Sequence, residues 1–294
     1  IKKNKKNSGC RIGVRHDENP MRDITNWALL CTTNDPESLT IVRIAQELRI
    51  PLLKSEQVHG ATLAKEPRLF DRIEQIQGIK HVVIVEIPGI EEEKRIADLG
   101  IEVHIIDHHT YADLDRMQNE ASLTQFRELF EIADEDLRFA GFDPEVIRGV
   151  ALIDQGFLWE LTGSELSLEK QRAARAYYLS CKRDIDSNYS DTEEAALAAW
   201  QTKEIKDDVV IIRSASPHHV REAVSFLIAD AFPEAPPTSI IVEGDGRVSV
   251  QETNKAEELF VKFGGFLFGK KRCWGVTAKN RPPTVDEIMA NIRQ

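Results

Sequence analysis

Short apolar runs alternate with amphipathic stretches over the first hundred residues of the chain. Trp27-Ala28-Leu29-Leu30-Cys31-Thr32-Thr33 has the length and composition of a strand buried on both faces. Ile41, Ile44, Ala45 and Leu48 then recur at helical spacing, with Ser38 as the expected N-cap. Pro51-Leu52-Leu53 predicts a second short strand, and helical periodicity returns over 68–77. His81-Val82-Val83-Ile84-Val85-Glu86-Ile87-Pro88 is the strongest strand signal. A charged helix is expected over 90–99, its Glu91, Glu92 and Glu93 suiting the positive end of the helix. The apolar run Val103-His104-Ile105-Ile106 then leads into Asp107. Repeated β-α units of this kind predict a largely parallel sheet with helices on both faces. The stretch 122–183 reads as mostly helical, broken near Phe142-Asp143-Pro144 and Thr162-Gly163-Ser164.

The pattern restarts after a polar, turn-rich segment, Asp184-Ile185-Asp186-Ser187-Asn188-Tyr189-Ser190-Asp191. An Ala-rich helix is expected over 192–201, then a polar stretch to Asp208. Val209-Val210-Ile211-Ile212 predicts a strand, 217–231 a helix, and Ser239-Ile240-Ile241-Val242 another strand. A Gly244-Asp245-Gly246 turn leads into Val248-Ser249-Val250. The expected architecture is therefore α/β with two domains. A doubly wound, mostly parallel sheet occupies 1–185, a linker 186–208, and a smaller α/β domain 209–294.

Composition narrows the function classes. With 41% hydrophobic and 30% charged residues, the chain can bury a sizeable core. No apolar run approaches the ~20 residues that span a bilayer. The basic stretch Ile1-Lys2-Lys3-Asn4-Lys5-Lys6-Asn7 is not followed by the apolar centre of an export signal, so a cytoplasmic location is expected. Cys10, Cys31, Cys181 and Cys273 form no CxxC pair and read as reduced thiols. A net charge of −11 argues against a general nucleic-acid coat but leaves room for a local basic site.

Candidate chemistry gathers where predicted strands end. Asp107-His108-His109 places a carboxylate and two imidazoles at the carboxyl edge of the sheet, the usual position of a site in open α/β folds. The first strand runs out into Asp35 and Glu37, the next strong one into Glu86, and Asp154 interrupts an apolar helical face. Carboxylates at successive strand ends converge, and their repulsion calls for hard divalent cations. This order resembles the DHH phosphoesterase superfamily, which includes RecJ-type exonucleases, nanoRNases and cyclic-dinucleotide phosphodiesterases. The resemblance spans nearly the whole chain, the second domain being similar to the DHH-associated C-terminal domain. Cys31, Asp35 and Glu37 stand at the family's His-x3-Asp-x-Asp motif and Glu86 at its second Asp. Asp107-His108-His109 matches fully, and Asp154-Gln155-Gly156-Phe157 is close to Asp-Thr-Gly-x-Phe.

The resemblance implies two metals. Cys31, Asp35 and Glu86 would hold one, while Glu37, Glu86, His108 and Asp154 would hold the other, with Glu86 bridging. His109 would donate to a phosphoryl oxygen, and Asp107 would orient a neighbouring His. Manganese is the expected ion, magnesium and zinc being the others considered. Three ligand positions depart from the pattern. Glu37 and Glu86 keep the charge on a longer arm, whereas Cys31 is either a soft thiolate ligand or a neutral buried thiol that binds nothing.

The C-terminal motif departs too. Gly264-Gly265 stands where the family has Gly-Gly-Gly-His, without the His, and Val248-Ser249-Val250-Gln251-Glu252-Thr253 lacks the family's Arg. Seven Lys or Arg against two acids over 260–294 suggest that Lys270, Lys271 and Arg272, with the two glycines, meet phosphate. Phe266 and Trp274 are either base-stacking or core residues. His59 has no evident partner, and His218-His219 reads as a helix start. The function implied is metal-dependent hydrolysis of a small nucleotide or short single-stranded oligonucleotide, with a homodimer as one assembly it allows. The alternative is a catalytically degenerate nucleotide-binding or protein-interaction module of the same fold.

Overall fold

The computed structural model describes residues 24–111, 114–116 and 120–293. The basic stretch at Lys2–Lys6 and Cys10 lie outside them. The first half contains β1 (Trp27–Cys31), α1 (Pro36–Glu47), β2 (Leu52–Lys54), α2 (Leu69–Glu74), β3 (His81–Val85), α3 (Ile90–Asp98) and β4 (Glu102–Ile106). The four strands form a wholly parallel sheet in the order β2-β1-β3-β4. Alternation divides each strand between two cores. Leu29, Val83 and Val85 face one, with Ile41 and Ile44 of α1. Ala28, Leu30, Val82 and Ile84 face the other, with Leu69 and Ile73 of α2 and Ile96 of α3. Helices therefore cover both faces, as the continuous apolar strands require.

A two-residue ribbon, β5 (Thr110–Tyr111) and β6 (Leu114–Asp115), precedes the helical segment. That segment comprises α4 (Ser122–Leu129), α5 (Asp134–Phe139), α6 (Pro144–Thr162) and α7 (Leu168–Ile185). Phe126 of α4, Ile147 and Val150 of α6, and Ala174 and Tyr178 of α7 complete the α1-side core. At Gly149 an added Cβ would stand 2.4 Å from the Cβ of Ala174, so α6 and α7 pack too closely for any side chain there.

The chain continues through α8 (Tyr189–Gln201), β7 (Glu204–Lys206), β8 (Val209–Arg213), α9 (Arg221–Ala231), β9 (Ser239–Val242) and β10 (Val248–Gln251). It closes with α10 (Ala256–Phe263), β11 (Phe266–Phe268), β12 (Cys273–Val276) and α11 (Val285–Ile292). A second, mixed sheet has the order β11-β12-β10-β9-β8-β7. Residues 186–208 thus carry α8 and the edge strand β7, and α8 packs on α9. Phe226 and Ala229 of α9 enter the first domain's core, which joins the two halves. Among the described residues no helix is long and apolar enough to cross a membrane, and Cys31, Cys181 and Cys273 are free thiols.

Element boundaries shift where polar side chains intervene. The α1 N-cap is Asp35 rather than Ser38. Asp35 Oδ1 accepts the Ser38 N–H at 2.8 Å, and Pro36 opens the helix without needing a partner for its nitrogen. β3 ends at Val85, because Glu86 adopts φ 53°, a left-handed conformation no strand sustains. α9 begins at Arg221, since the Ser216 hydroxyl accepts the His218 N–H and holds 216–218 in a turn.

Candidate metal centre

The carboxyl ends of β1, β3 and β4 deliver Asp35, Glu37, Glu86 and Asp107-His108-His109 to one edge of the parallel sheet, and α6 brings Asp154 across to them. His108 Nε2 lies 3.1 Å from Asp154 Oδ2, 3.2 Å from Glu86 Oε1 and 4.0 Å from Glu37 Oε2. All four ligand atoms fall within 4.8 Å of one another. Glu37 is 1% exposed. Its Oε2 and the His108 Nε2 are buried without an aligned hydrogen-bond partner.

The start of α4 holds this cluster. The Ser122 hydroxyl donates to Glu86 Oε1 at 2.6 Å, and the Leu123 N–H donates to Glu37 Oε1 at 2.8 Å. Gln125 Nε2 donates to the Asp107 carbonyl, and the Asp107 N–H donates to Gln125 Oε1. A helix N-terminus also favours nearby carboxylates through its dipole. None of these three α4 residues was singled out in the sequence, because nothing in their order marks a helix start 36 residues from Glu86 as its neighbour.

Backbone strain frames the same place. Glu86 has φ 53°, and Phe157, three residues after Asp154, has φ 60° and ψ −146° inside α6. Non-glycine residues in such regions cost about 1–3 kcal/mol and persist where the surroundings impose them.

The electrostatics are those of crowded charge. Burial, with Asp154 and Glu86 close by, pushes the Glu37 carboxyl well above its usual range. Burial opposes charge on His108, but the carboxylates of Asp154 and Glu86 outweigh it and push the imidazole up to about 10. Burial would likewise raise Asp154, yet His108 holds it below its ordinary value. In the protein alone the imidazolium is therefore the cation among these carboxylates.

The four side chains fit a divalent ion. Three carboxylates and one imidazole form a hard donor set with one face toward a cavity, suited to manganese, magnesium or zinc. Glu37 Oε2 and His108 Nε2, buried without an aligned hydrogen bond, are atoms such an ion would satisfy. Cys31 stands apart from this set. It is fully buried, its Sγ lies 3.7 Å from the Ser38 carbonyl, and burial pushes its thiol well up, so it is neutral. Asp35 caps α1 through both oxygens, and burial with Glu86 and Asp154 pushes it up to about 7.

His109 faces outward, its side chain 47% exposed. Asp107 Oδ1 accepts its backbone N–H at 2.9 Å and lies 3.2 Å from its Nδ1, while Asp107 Oδ2 accepts the Tyr111 hydroxyl at 2.9 Å. The Asp107 contact raises His109, and the bonds from His109 and Tyr111 overcome burial to lower Asp107. A cavity of about 280 Å³ opens here, lined by His109, Tyr111, His59, Asn34, Asp35 and Asp154 among others. His59 thus reaches the site from its loop. No Lys or Arg lines the cavity among the described residues. A larger cavity of about 640 Å³ lies between α4 and α6, and none of the four clustered side chains lines it.

The C-terminal candidates lie elsewhere. Lys270 Nζ pairs with Glu160 at 2.7 Å, Lys271 with Glu257 at 3.0 Å, and the Arg272 guanidinium sits 5.4 Å over the Trp159 ring. Gly264 and Gly265 both have positive φ, and a Cβ on Gly265 would stand 2.2 Å from the Gly275 carbonyl oxygen. The close approach of β11 to β12 accounts for that glycine. Trp274 is buried in the core of the mixed sheet, with Val250 and Leu259, whereas Phe266 is 47% exposed.

No family model matches the sequence, and no curated protein matches it. Among solved structures, the chain is similar to exonuclease RecJ bound to manganese, at 12% identity and a TM-score of 0.40, over 93% of this chain and 94% of that one. It is similar to a pGpG-specific phosphodiesterase from Vibrio cholerae at 12% identity and a TM-score of 0.42, over 90% and 96% of the two chains. An uncharacterised protein from Helicobacter pylori G27 is 13% identical with a TM-score of 0.35, over 91% and 99%.

Proposed function

We propose that the chain is a metal-dependent phosphoesterase acting on the phosphodiester of a small nucleotide or short oligonucleotide. Glu37, Glu86, His108 and Asp154 hold one divalent ion, manganese before magnesium or zinc. The observation that carries this reading is the convergence of three carboxylates on one imidazole, with the buried Glu37 Oε2 and His108 Nε2, neither in an aligned hydrogen bond, at its centre. A phosphate approaching Asp35, Glu86 and Asp154 without Lys or Arg nearby would be repelled, so the site needs a cation before it can accept one.

When bound, the ion supplies Lewis-acid polarisation of the phosphoryl group and of water. The protein does the rest. His109, held at Nδ1 by Asp107, presents its other ring nitrogen to the cavity and donates to a phosphoryl oxygen as charge develops. Tyr111 and Gln125 keep Asp107 in place. Asn34 and His59 bind and orient the remainder of the substrate at the mouth. Cys31 takes no part, so a single-ion centre replaces the paired one the motif order implies.

A second reading, a nucleotide-binding module without turnover, is favoured by that same neutral Cys31. Hydrolysis of a generic phosphodiester, with manganese against chelator, separates the two. Manganese-dependent turnover that falls at least about a hundredfold in Asp154→Asn supports the enzyme, since even indirect partners of metal ligands typically account for about 10–100-fold. Folded protein that binds nucleotide but shows no turnover with any divalent ion supports the module.

A further inference from the structure

We infer that the protein carries a second, transition-metal site at the opposite edge of the parallel sheet, formed by His81, Glu102 and His104. β3 and β4 run parallel with His81 paired to Glu102, and His104 lies two residues along β4 on the same face. Three metal-ligating side chains therefore meet where these strands begin, at the end remote from Asp107.

The distances are those of a coordination shell. His81 Nδ1 and His104 Nε2 are 3.2 Å apart, His81 Nδ1 is 3.2 Å from Glu102 Oε2, and His104 Nε2 is 3.6 Å from Glu102 Oε1. Ligand atoms at about 2.0–2.1 Å around a tetrahedral zinc ion stand about 3.3 Å from one another. One ion can thus touch both imidazoles and the carboxylate with little movement.

The rings are also held in place. Trp27, on the neighbouring strand β1, stacks on His81 at 4.3 Å between centroids and 15° between planes, and on His104 at 4.7 Å and 23°. Phe130 meets Trp27 edge-on at 5.4 Å, anchoring that ring in the core. Rings fixed by packing lose little freedom on binding a metal. The two imidazole side chains are only 24% and 21% exposed, while Glu102 is 64% exposed, which leaves the open side for water as a fourth ligand.

The donor set separates this site from the acidic one. Two imidazoles and one carboxylate suit zinc-class ions, whereas three carboxylates and one imidazole suit harder ions. Across β3 and β4, such an ion would clip the edge strand β4 to the sheet, and β4 is the strand that carries Asp107-His108-His109 at its far end. The inference does not depend on the phosphoesterase reading.

The test is zinc stoichiometry by chelator competition, with cobalt(II) absorption as a probe of geometry. It compares the full chain with His104→Gln, Glu102→Gln and Asp154→Asn. The exposed Glu102 allows a change of charge without disturbing the core, so that variant stays informative if His104→Gln folds poorly. The expected result is a visible tetrahedral cobalt spectrum, and one zinc equivalent, that persist in Asp154→Asn and disappear in Glu102→Gln and His104→Gln. Zinc binding unchanged in Glu102→Gln and in folded His104→Gln, or lost entirely in Asp154→Asn, would overturn the inference. Turnover in the phosphodiester assay is read separately, so failure of either claim leaves the other standing.

Discussion

The two charged regions of the molecule are opposites in how their charges are met. At the carboxyl edge of the parallel sheet, Glu37, Glu86, His108 and Asp154 crowd together, three carboxylates around one imidazole, with two neighbouring backbones strained. In the turn before β12, Lys270 and Lys271 each have an acidic partner, and Arg272 rests on Trp159. In sequence, the basic run is the plainer anion signal. In the fold its charges are answered within the chain, Lys270 and Arg272 by α6 and Lys271 by α10. The difference teaches that charge alone is a weak guide to chemistry. Several ligand atoms that the fold gathers within reach of one ion are the better one, because crowding like charges is costly unless a cation completes them.

Several changes sharpen that contrast. Ser122→Ala and Asp107→Asn remove the partners of Glu86 and His109 without touching the four clustered side chains. At limiting manganese each is expected to lower turnover by about 10–100-fold, as partners of metal ligands generally do. A loss confined to metal affinity in Ser122→Ala, and to turnover in Asp107→Asn, would match their two positions. Full activity in both would remove the distinction between the regions.

Glu252 tests the basic turn from beneath. It is 2% exposed, and burial pushes its carboxyl up to about 8 despite the nearby Trp159 N–H and Arg272. The native state therefore holds a proton that the unfolded chain has lost between about pH 4.5 and 8. Stability from this group is present below that window and declines as pH rises through it, by at most about 1.4 kcal/mol per pH unit. Denaturation of Glu252→Gln across the window should show a flatter profile than the parent chain, and an identical profile would mean the carboxyl is ionised throughout.

Lys270→Ala has the smallest expected effect. Its pair with Glu160 is partly exposed, and such pairs contribute about 0–1 kcal/mol. Melting should move little and KM should hold within about twofold. A large rise in KM would return the basic turn to the substrate site.

Much of this was legible in the chain. Continuous apolar strands at Trp27–Cys31 and His81–Val85 announced a sheet covered on both faces, which α1, α2 and α3 supply. The motif order brought Glu37, Glu86, His108 and Asp154 under suspicion together, and they meet in space. What stayed hidden depends on tertiary approach. Ser122, Leu123 and Gln125 act from a helix start, Leu123 through a backbone N–H that any residue but proline carries. Likewise the residues 256–292, where hydropathy gave no element, hold α10, β11, β12 and α11. Short strands and an interrupting basic turn blur the period there. Asp35 was read as a ligand candidate and Ser38 as the N-cap, and the Asp-Pro step ahead of α1 was the overlooked signal that Asp35 caps the helix.

The most direct test of the central claim is manganese titration of the protein with proton release measured alongside, for the parent chain and Asp154→Asn. His108 sits near pKa 10 in the metal-free protein, so binding at neutral pH must displace its proton. The expected result is a saturable site that releases at least one proton and tightens about tenfold per pH unit below 10, and that Asp154→Asn loses. Equal manganese affinity in the two proteins, or binding without proton release, would contradict a metal centre at Glu37, Glu86, His108 and Asp154.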